Sequence, residues 1–249
     1  MAAVVLTLVI AFAGGVYLHG WLQRRSVPIW RACSFFLGLL ATWIAVVWPS
    51  ASLNSHMLTA HMIQHLLLMT IAPPLIWLGE PVITARLMRW PLPNGLGNLL
   101  GNPVFCWLAS TAALIVWHVP AMFQLGMHSS IWHFIQHTSF LMTGLLFWWP
   151  VIQPWPSVPL WPRSSMLLYL FLATVPCDVI SGLLVFSGRV VYPMYLSMPR
   201  MGGLSALEDQ QCAAALMWTC VTVVFMVAST IIAMELLSRK LRAQEAVSV

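Results

Sequence analysis

Charge is what this sequence lacks. Of its 249 residues, 11 are Lys or Arg and 6 are Asp or Glu, a charged fraction of 7%, where soluble domains carry roughly 25%. With 60% of the residues hydrophobic, a soluble fold is excluded and an all-α integral membrane protein is expected. Cysteine is sparse and scattered: Cys33, Cys106, Cys177, Cys212 and Cys220 are odd in number and contain no C-x-x-C, which argues against a disulfide framework or a zinc module. Neither H-E-x-x-H nor G-x-S-x-G occurs, so the signatures of a metal-dependent hydrolase and of a serine hydrolase are missing. The opening "MAAVVLTLVI" has no basic segment or small-residue cleavage site, so the first apolar helix is expected to be retained rather than removed as a signal peptide.

What is present is a succession of apolar runs. A transmembrane helix needs about 20 mostly apolar residues, and seven stretches qualify, at about 4–22, 30–48, 56–78, 103–120, 131–151, 164–186 and 210–237. They leave little chain for anything else, so residues 1–249 are read as a single polytopic domain, a seven-transmembrane-helix bundle. The basic residues divide between alternate loops. Arg24, Arg25, Arg31, Arg86, Arg89, Arg163, Arg239, Lys240 and Arg242 fall on one side, and only Arg189 and Arg200 on the other. By the positive-inside rule the N-terminus is outside and the C-terminus cytoplasmic. The net charge of +5 then reports topology and gives no sign of nucleic-acid binding.

Six of the eight histidines lie in two short stretches, "HMLTAHMIQH" over residues 56–65 and "HSSIWHFIQH" over residues 128–137. Both carry the spacing H-x4-H-x3-H and the word H-x-I-Q-H. Spacing i, i+4 puts His61 and His65 on one face of the third helix with Gln64 beside them, and His133, Gln136 and His137 repeat the arrangement on the fifth. Both helices enter from the outer face, so the pairs fall at matching depth. His118, in "WHVP", closes the fourth helix at the same level. His56 and His128 are rotated away and are assigned to the interfacial turns. A single membrane histidine commonly serves packing, but four at one depth, facing each other, suit a metal or cofactor, since ionisable residues inside a bilayer are costly and mark functional cavities.

Other polar residues gather on the same side. Asp178 follows Pro176 in the outer half of the sixth helix, too deep for capping, and is a candidate to orient an imidazole. Glu208 and Asp209 open the seventh helix, where a carboxylate either caps or serves the histidines. Met122, Met127, Met194, Met198 and Met201 lie in outer loops, and Met217 in the seventh helix. Buried methionine is usually filler, whereas loop methionines above a histidine cluster suit Cu(I), which favours soft thioether ligands.

At these residues the chain resembles the CtaG-type assembly factors of caa3-type cytochrome c oxidase. The matching words are "AHMIQHLLLMTIAPPLIWLGEP" (residues 60–81), "WHVPAMF" (117–123), "GLLFWWPV" (144–151), "PCDVISGLL" (176–184), "YPMY" (192–195) and "EDQQCAAALMW" (208–218). The resemblance implies that His61, His65, His118, His133, His137, Asp178 and Asp209 are the characteristic polar positions. Where the family often has glycines after Asp-Gln-Gln, this chain has Cys212 and Ala213. The function it implies is non-enzymatic: assembly of a respiratory-chain oxidase in the bacterial inner membrane. As a metallochaperone, the chain would bind copper, as Cu(I), near the outer face and assist its delivery to the CuA centre of subunit II. In that reading His61, His65, His118, His133 and His137 are the metal ligands. Met217, Cys212, Met194, Met198 and Met201 are weaker candidates, and Asp178, Asp209, Gln64 and Gln136 support the imidazoles. Oxidase subunits, periplasmic copper chaperones and the lipid bilayer are the expected partners. Two alternatives remain open: a haem-binding or redox protein using histidine pairs of the two helices, although no C-x-x-C-H occurs, and a scaffold for oxidase subunits that holds no metal.

Overall fold

A computed structural model describes residues 2–23, 27–47, 56–81, 102–153, 161–198 and 203–247. Arg24, Arg25, Arg86, Arg89, Arg200, Met201 and the "PSASLNS" loop lie outside the described residues. Among those described there are eight helices and no strand: α1 (Ala2–Gln23), α2 (Ile29–Val47), α3 (Leu58–Leu78), α4 (Pro103–His118), α5 (Pro120–His128), α6 (Ser130–Ile152), α7 (Ser165–Val185) and α8 (Ala206–Val247). A 3₁₀ turn, Pro193–Leu196, lies between α7 and α8. Within the described residues α1, α2, α3, α7 and α8 are each long and apolar enough to cross a membrane, and the α4–α5 pair adds a sixth crossing if its two arms are taken as one. Helix α6 has 23 residues but spends His133, Gln136, His137 and two threonines on its polar content.

Two local features depart from the sequence expectation. The segment after His118, expected as a loop, is the helix α5, bent 78° from α4. The cause is Pro120: Val119 before it is held extended, at φ −63° and ψ 127°, because a proline disfavours the helical region for its predecessor. Proline then suits the first position of the new helix. The second is a π-helical turn, Leu67–Ile71, in the middle of α3. Pro73 and Pro74 follow it; each lacks an N–H and its ring clashes with the carbonyl four residues back, so the widened turn absorbs what a regular helix could not. Helix α8 also runs further than expected, over 42 residues.

Helix α3 is the centre of the bundle. Its first half packs on α8, its second half on α2 and α6, while α1 packs chiefly on α2. Burial of apolar surface gives no driving force between helices in lipid, so close approach and interhelical hydrogen bonds must supply it. Gly144 of α6 shows the approach: a Cβ there would lie 2.8 Å from Pro73 Cγ and 2.9 Å from the Cα and carbonyl oxygen of Met69. Only glycine lets α6 meet the π-helical turn. Among the bonds, Trp77 Nε1 donates to the Leu145 carbonyl at 2.8 Å, Tyr169 to that of Phe147 at 2.9 Å, and Tyr17 to that of Gly79 at 2.8 Å. Large apolar side chains such as Phe12, Leu168 and Met226 stand exposed on the outside of the bundle, as a lipid-facing surface requires.

Candidate functional site

The start of α3 fixes the site's frame. Met57, which precedes the helix, offers it no side-chain cap, so its first N–H groups need an acceptor from elsewhere. Asp209 of α8 supplies it, accepting from Leu58 N at 2.6 Å, Thr59 N at 3.2 Å and the Thr59 hydroxyl at 2.7 Å. The expectation that Asp209 orients an imidazole is therefore corrected: both of its oxygens are spent holding α3 in place. Glu208, by contrast, caps its own helix, accepting from Ser205 N at 2.7 Å while its N–H donates to the Ser205 hydroxyl at 3.2 Å, a capping box.

So placed, α3 carries His61 and His65 inward, their ring centroids 4.2 Å apart. Helix α6 carries His133 and His137 with centroids 4.1 Å apart. The two pairs face each other in register, His61 to His133 at 5.9 Å and His65 to His137 at 6.1 Å. His118, at the end of α4, completes the group 6.1 Å from His65. Five imidazoles from three helices thus form one cluster. Phe123 of α5 covers it at 5.0 Å from His61, and Phe140 lies 4.3 Å from His65. Phe123 was not singled out from the sequence, because a nine-residue helix gives no span-length signal.

His61 is fully buried and His65 is 5% exposed, yet neither ring nitrogen of either has a hydrogen-bond partner among the described residues. Buried polar groups are ordinarily satisfied, so four such atoms side by side call for a partner from outside the chain, a bound ligand or ordered water. His118 is arranged more specifically. Its Nδ1 lies 2.7 Å from the Leu114 carbonyl and must carry the proton there, which leaves Nε2 with a free lone pair and no partner among the described residues. A ring nitrogen anchored to a carbonyl with the other left bare is how metal-binding histidines are usually held. Tyr192 then donates to the His118 carbonyl at 3.0 Å. Its own phenol is pushed up by burial and stays protonated as that donor.

Two imidazoles sharing a metal at about 2.0 Å from each nitrogen have ring centroids roughly 5–6 Å apart. The cross-helix pairs, at 5.9 and 6.1 Å, fall at that spacing. Among the described residues no three His, Cys, Asp or Glu side chains converge on a single point as they stand, so a higher coordination number requires rings to turn. The donor chemistry and pair spacing fit a metal that accepts few nitrogen ligands.

The remaining candidates divide. Gln136 is completely buried with both amide atoms unpartnered among the described residues, and it lies against α5, where a Cβ on Gly126 would come within 3.1 Å of its Oε1. Gln64 instead donates to the Ala45 carbonyl of α2 at 2.6 Å. Asp178 is half-buried, its Oδ1 has no partner among the described residues, and no imidazole bonds to it; the expected Asp178–histidine bond is not formed. Met217 is buried and Met194 packs against the core, whereas Met198 is half-buried and Cys212 is exposed. Helix α8 turns Asp209, Ala213 and Met217 inward at a spacing of four, which sends Cys212 outward, away from the imidazoles.

Below His65 and His118 lies a cavity of about 50 Å³, bounded also by Met62, Met69, Cys177 and Met217. It is reached by the π-helical turn, which contributes Met69.

Comparison with known proteins gives the family of the chain. An uncharacterized protein of Mycobacterium bovis is 24% identical over 236 residues, 84% of this chain and 36% of its own length. An uncharacterized protein of Mycobacterium leprae is 23% identical over 232 residues, 82% of this chain and 34% of its own. The chain therefore spans about a third of the length of the curated relatives it matches. No solved structure matches it. The sequence profile of the family described as cytochrome c oxidase caa3 assembly factor matches residues 15–239. That match covers nearly the whole of the bundle and all five clustered histidines, and this protein is a member of that membrane-protein family.

Proposed function

We propose that the chain is a non-catalytic assembly factor that takes up copper as cargo on its histidine cluster and assists its insertion into the CuA centre of a cytochrome c oxidase. The observation that carries the reading is the group of ring nitrogens on His61, His65 and His118 that are buried and bare among the described residues. His61 and His133, and His65 and His137, are the facing pairs that would grip the ion, with His118 as the pre-set fifth donor. The topology proposed is seven spans in the bacterial inner membrane, N-terminus outside, which turns the cluster toward the face on which CuA is built. Met194 and Met198 would line the way in. Subunit II and a periplasmic copper donor are the proposed partners.

Copper suits this site better than haem does. Imidazole accepts copper readily, and the methionines bordering the adjoining cavity favour Cu(I). Elemental analysis of the detergent-purified chain from copper-grown cells tests the reading. About one copper per chain is expected, lost from His61→Ala and from His133→Ala while their amount in the membrane is unchanged. Full copper loading in both variants would remove the cluster as the site, and iron with a Soret band would replace copper with haem. A metal-free variant that still supports oxidase assembly would favour the scaffold.

A further inference from the structure

The copper reading leaves a charge to account for. Cu(I) held by neutral imidazoles carries its full positive charge into the interior, and an unneutralised buried charge is costly. No carboxylate answers it: Asp209 is bonded to the start of α3, and Asp178 does not border the cavity beneath the rings. Cys177 does. Its side chain is 2% exposed, its Sγ lies 3.9 Å from the Ser181 hydroxyl, and it faces the same 50 Å³ space as His65, His118, Met62, Met69 and Met217.

We infer that Cys177 and Met217 form a sulfur station on the floor of this cavity, which receives Cu(I) from His65 and His118 and neutralises it. The inference rests on the copper reading above. In the step, a Cu–N bond to an imidazole breaks and a Cu–S bond forms at Cys177, whose S–H proton passes to the imidazole nitrogen the ion has left and from there out to bulk solvent. Copper stays Cu(I) throughout, so no oxidant or reductant is needed, and the Cu(I)–thiolate unit is uncharged. Thiolate and thioether are the ligands Cu(I) prefers, and unbranched methionines bordering open space can swing to meet the ion. Methionine and cysteine also serve as plain core filler, and in that case their replacement by residues of like volume would leave copper binding untouched.

The test is an anaerobic titration of the purified full chain with tetrakis(acetonitrile)copper(I) against a chromophoric Cu(I) chelator, with X-ray absorption of the loaded protein. Wild type is expected to show sulfur as well as nitrogen around copper and to release about one proton per ion. Cys177→Ser and Met217→Leu, which keep the packing volume, are expected to weaken binding by about tenfold or more and to lose sulfur scattering, the first also losing the proton. Copper surrounded by nitrogen alone, with unchanged affinity in both variants, would overturn the sulfur station and leave the histidine reading standing. A wild-type chain that takes up no Cu(I) would overturn both.

Discussion

Where α3 ends, Arg31 pairs with Glu80, and Arg163 reaches both Glu235 at 3.3 Å and the Val151 carbonyl. Where α3 begins, five imidazoles crowd together and the ring nitrogens of His61 and His65 find no partner among the described residues. At one end Arg31 and Arg163 are neutralised by carboxylates; at the other the rings of His61 and His65 are left bare among the described residues. Pairing charges within a membrane protein offsets their desolvation, so the first end is explained by stability alone. The second raises the cost of folding, and a fold retains such a cost where a ligand repays it.

The contrast can be broken in four places. His118→Ala removes the one donor whose tautomer is set by its own helix, and copper affinity is expected to fall by about 100-fold, alongside a small drop in thermal midpoint from the cavity left behind; competition with a Cu(I) chelator measures the first. Gly144→Ala puts a methyl group into the backbone of Met69, where nothing flexible can yield. A loss of about 1–3 kcal/mol is expected, with copper retention falling too because the turn under His65 moves, and a thermal unfolding series in detergent would record the first. Asp209→Ala leaves the start of α3 without its acceptor and is expected to cost about 1 kcal/mol. In Asp209→Asn, which can still accept, copper binding should survive; its loss would return Asp209 to the histidines. Arg163→Ala is the smallest change, about 1 kcal/mol or less at a partly exposed pair. Copper content per folded chain should hold, because the Asp209 bonds still fix the start of α3, and a drop would show that losing the pair lets α8 carry a displacement from one end to the other.

The bundle was legible from apolar run lengths, because spans must reach a set length and their loops must be polar. The starts of α2, α4 and α6 fall within a few residues of the expected bounds. The histidine register was legible for a similar reason: i, i+4 spacing fixes a face, and two helices entering from one side fix a depth. What escaped depends on contacts distant in sequence or on short elements. Asp209 is 151 residues from Leu58, so its choice of α3 over an imidazole has no local signature. Helix α5 is too short to register as a span, and the π-helical turn leaves only the Pro73–Pro74 pair as a hint. The far end of α8 was cut at residue 237 because Ser238, Arg239 and Lys240 interrupt the apolar run, although they prolong the helix without strain.

That helix has a mechanical consequence. At 1.5 Å per residue its 42 residues make a rod about 63 Å long, twice the thickness of a bilayer's hydrocarbon layer. Its first turn holds α3 through Asp209, and its last turns carry Arg239, Lys240 and Arg242 exposed at the opposite extremity. Pivoting such a rod by about 7° about its middle carries Asp209 roughly 3 Å, the length of the bonds it makes to Leu58 and Thr59. Whatever grips the basic tip therefore has leverage on the histidines at the opposite end of the bundle.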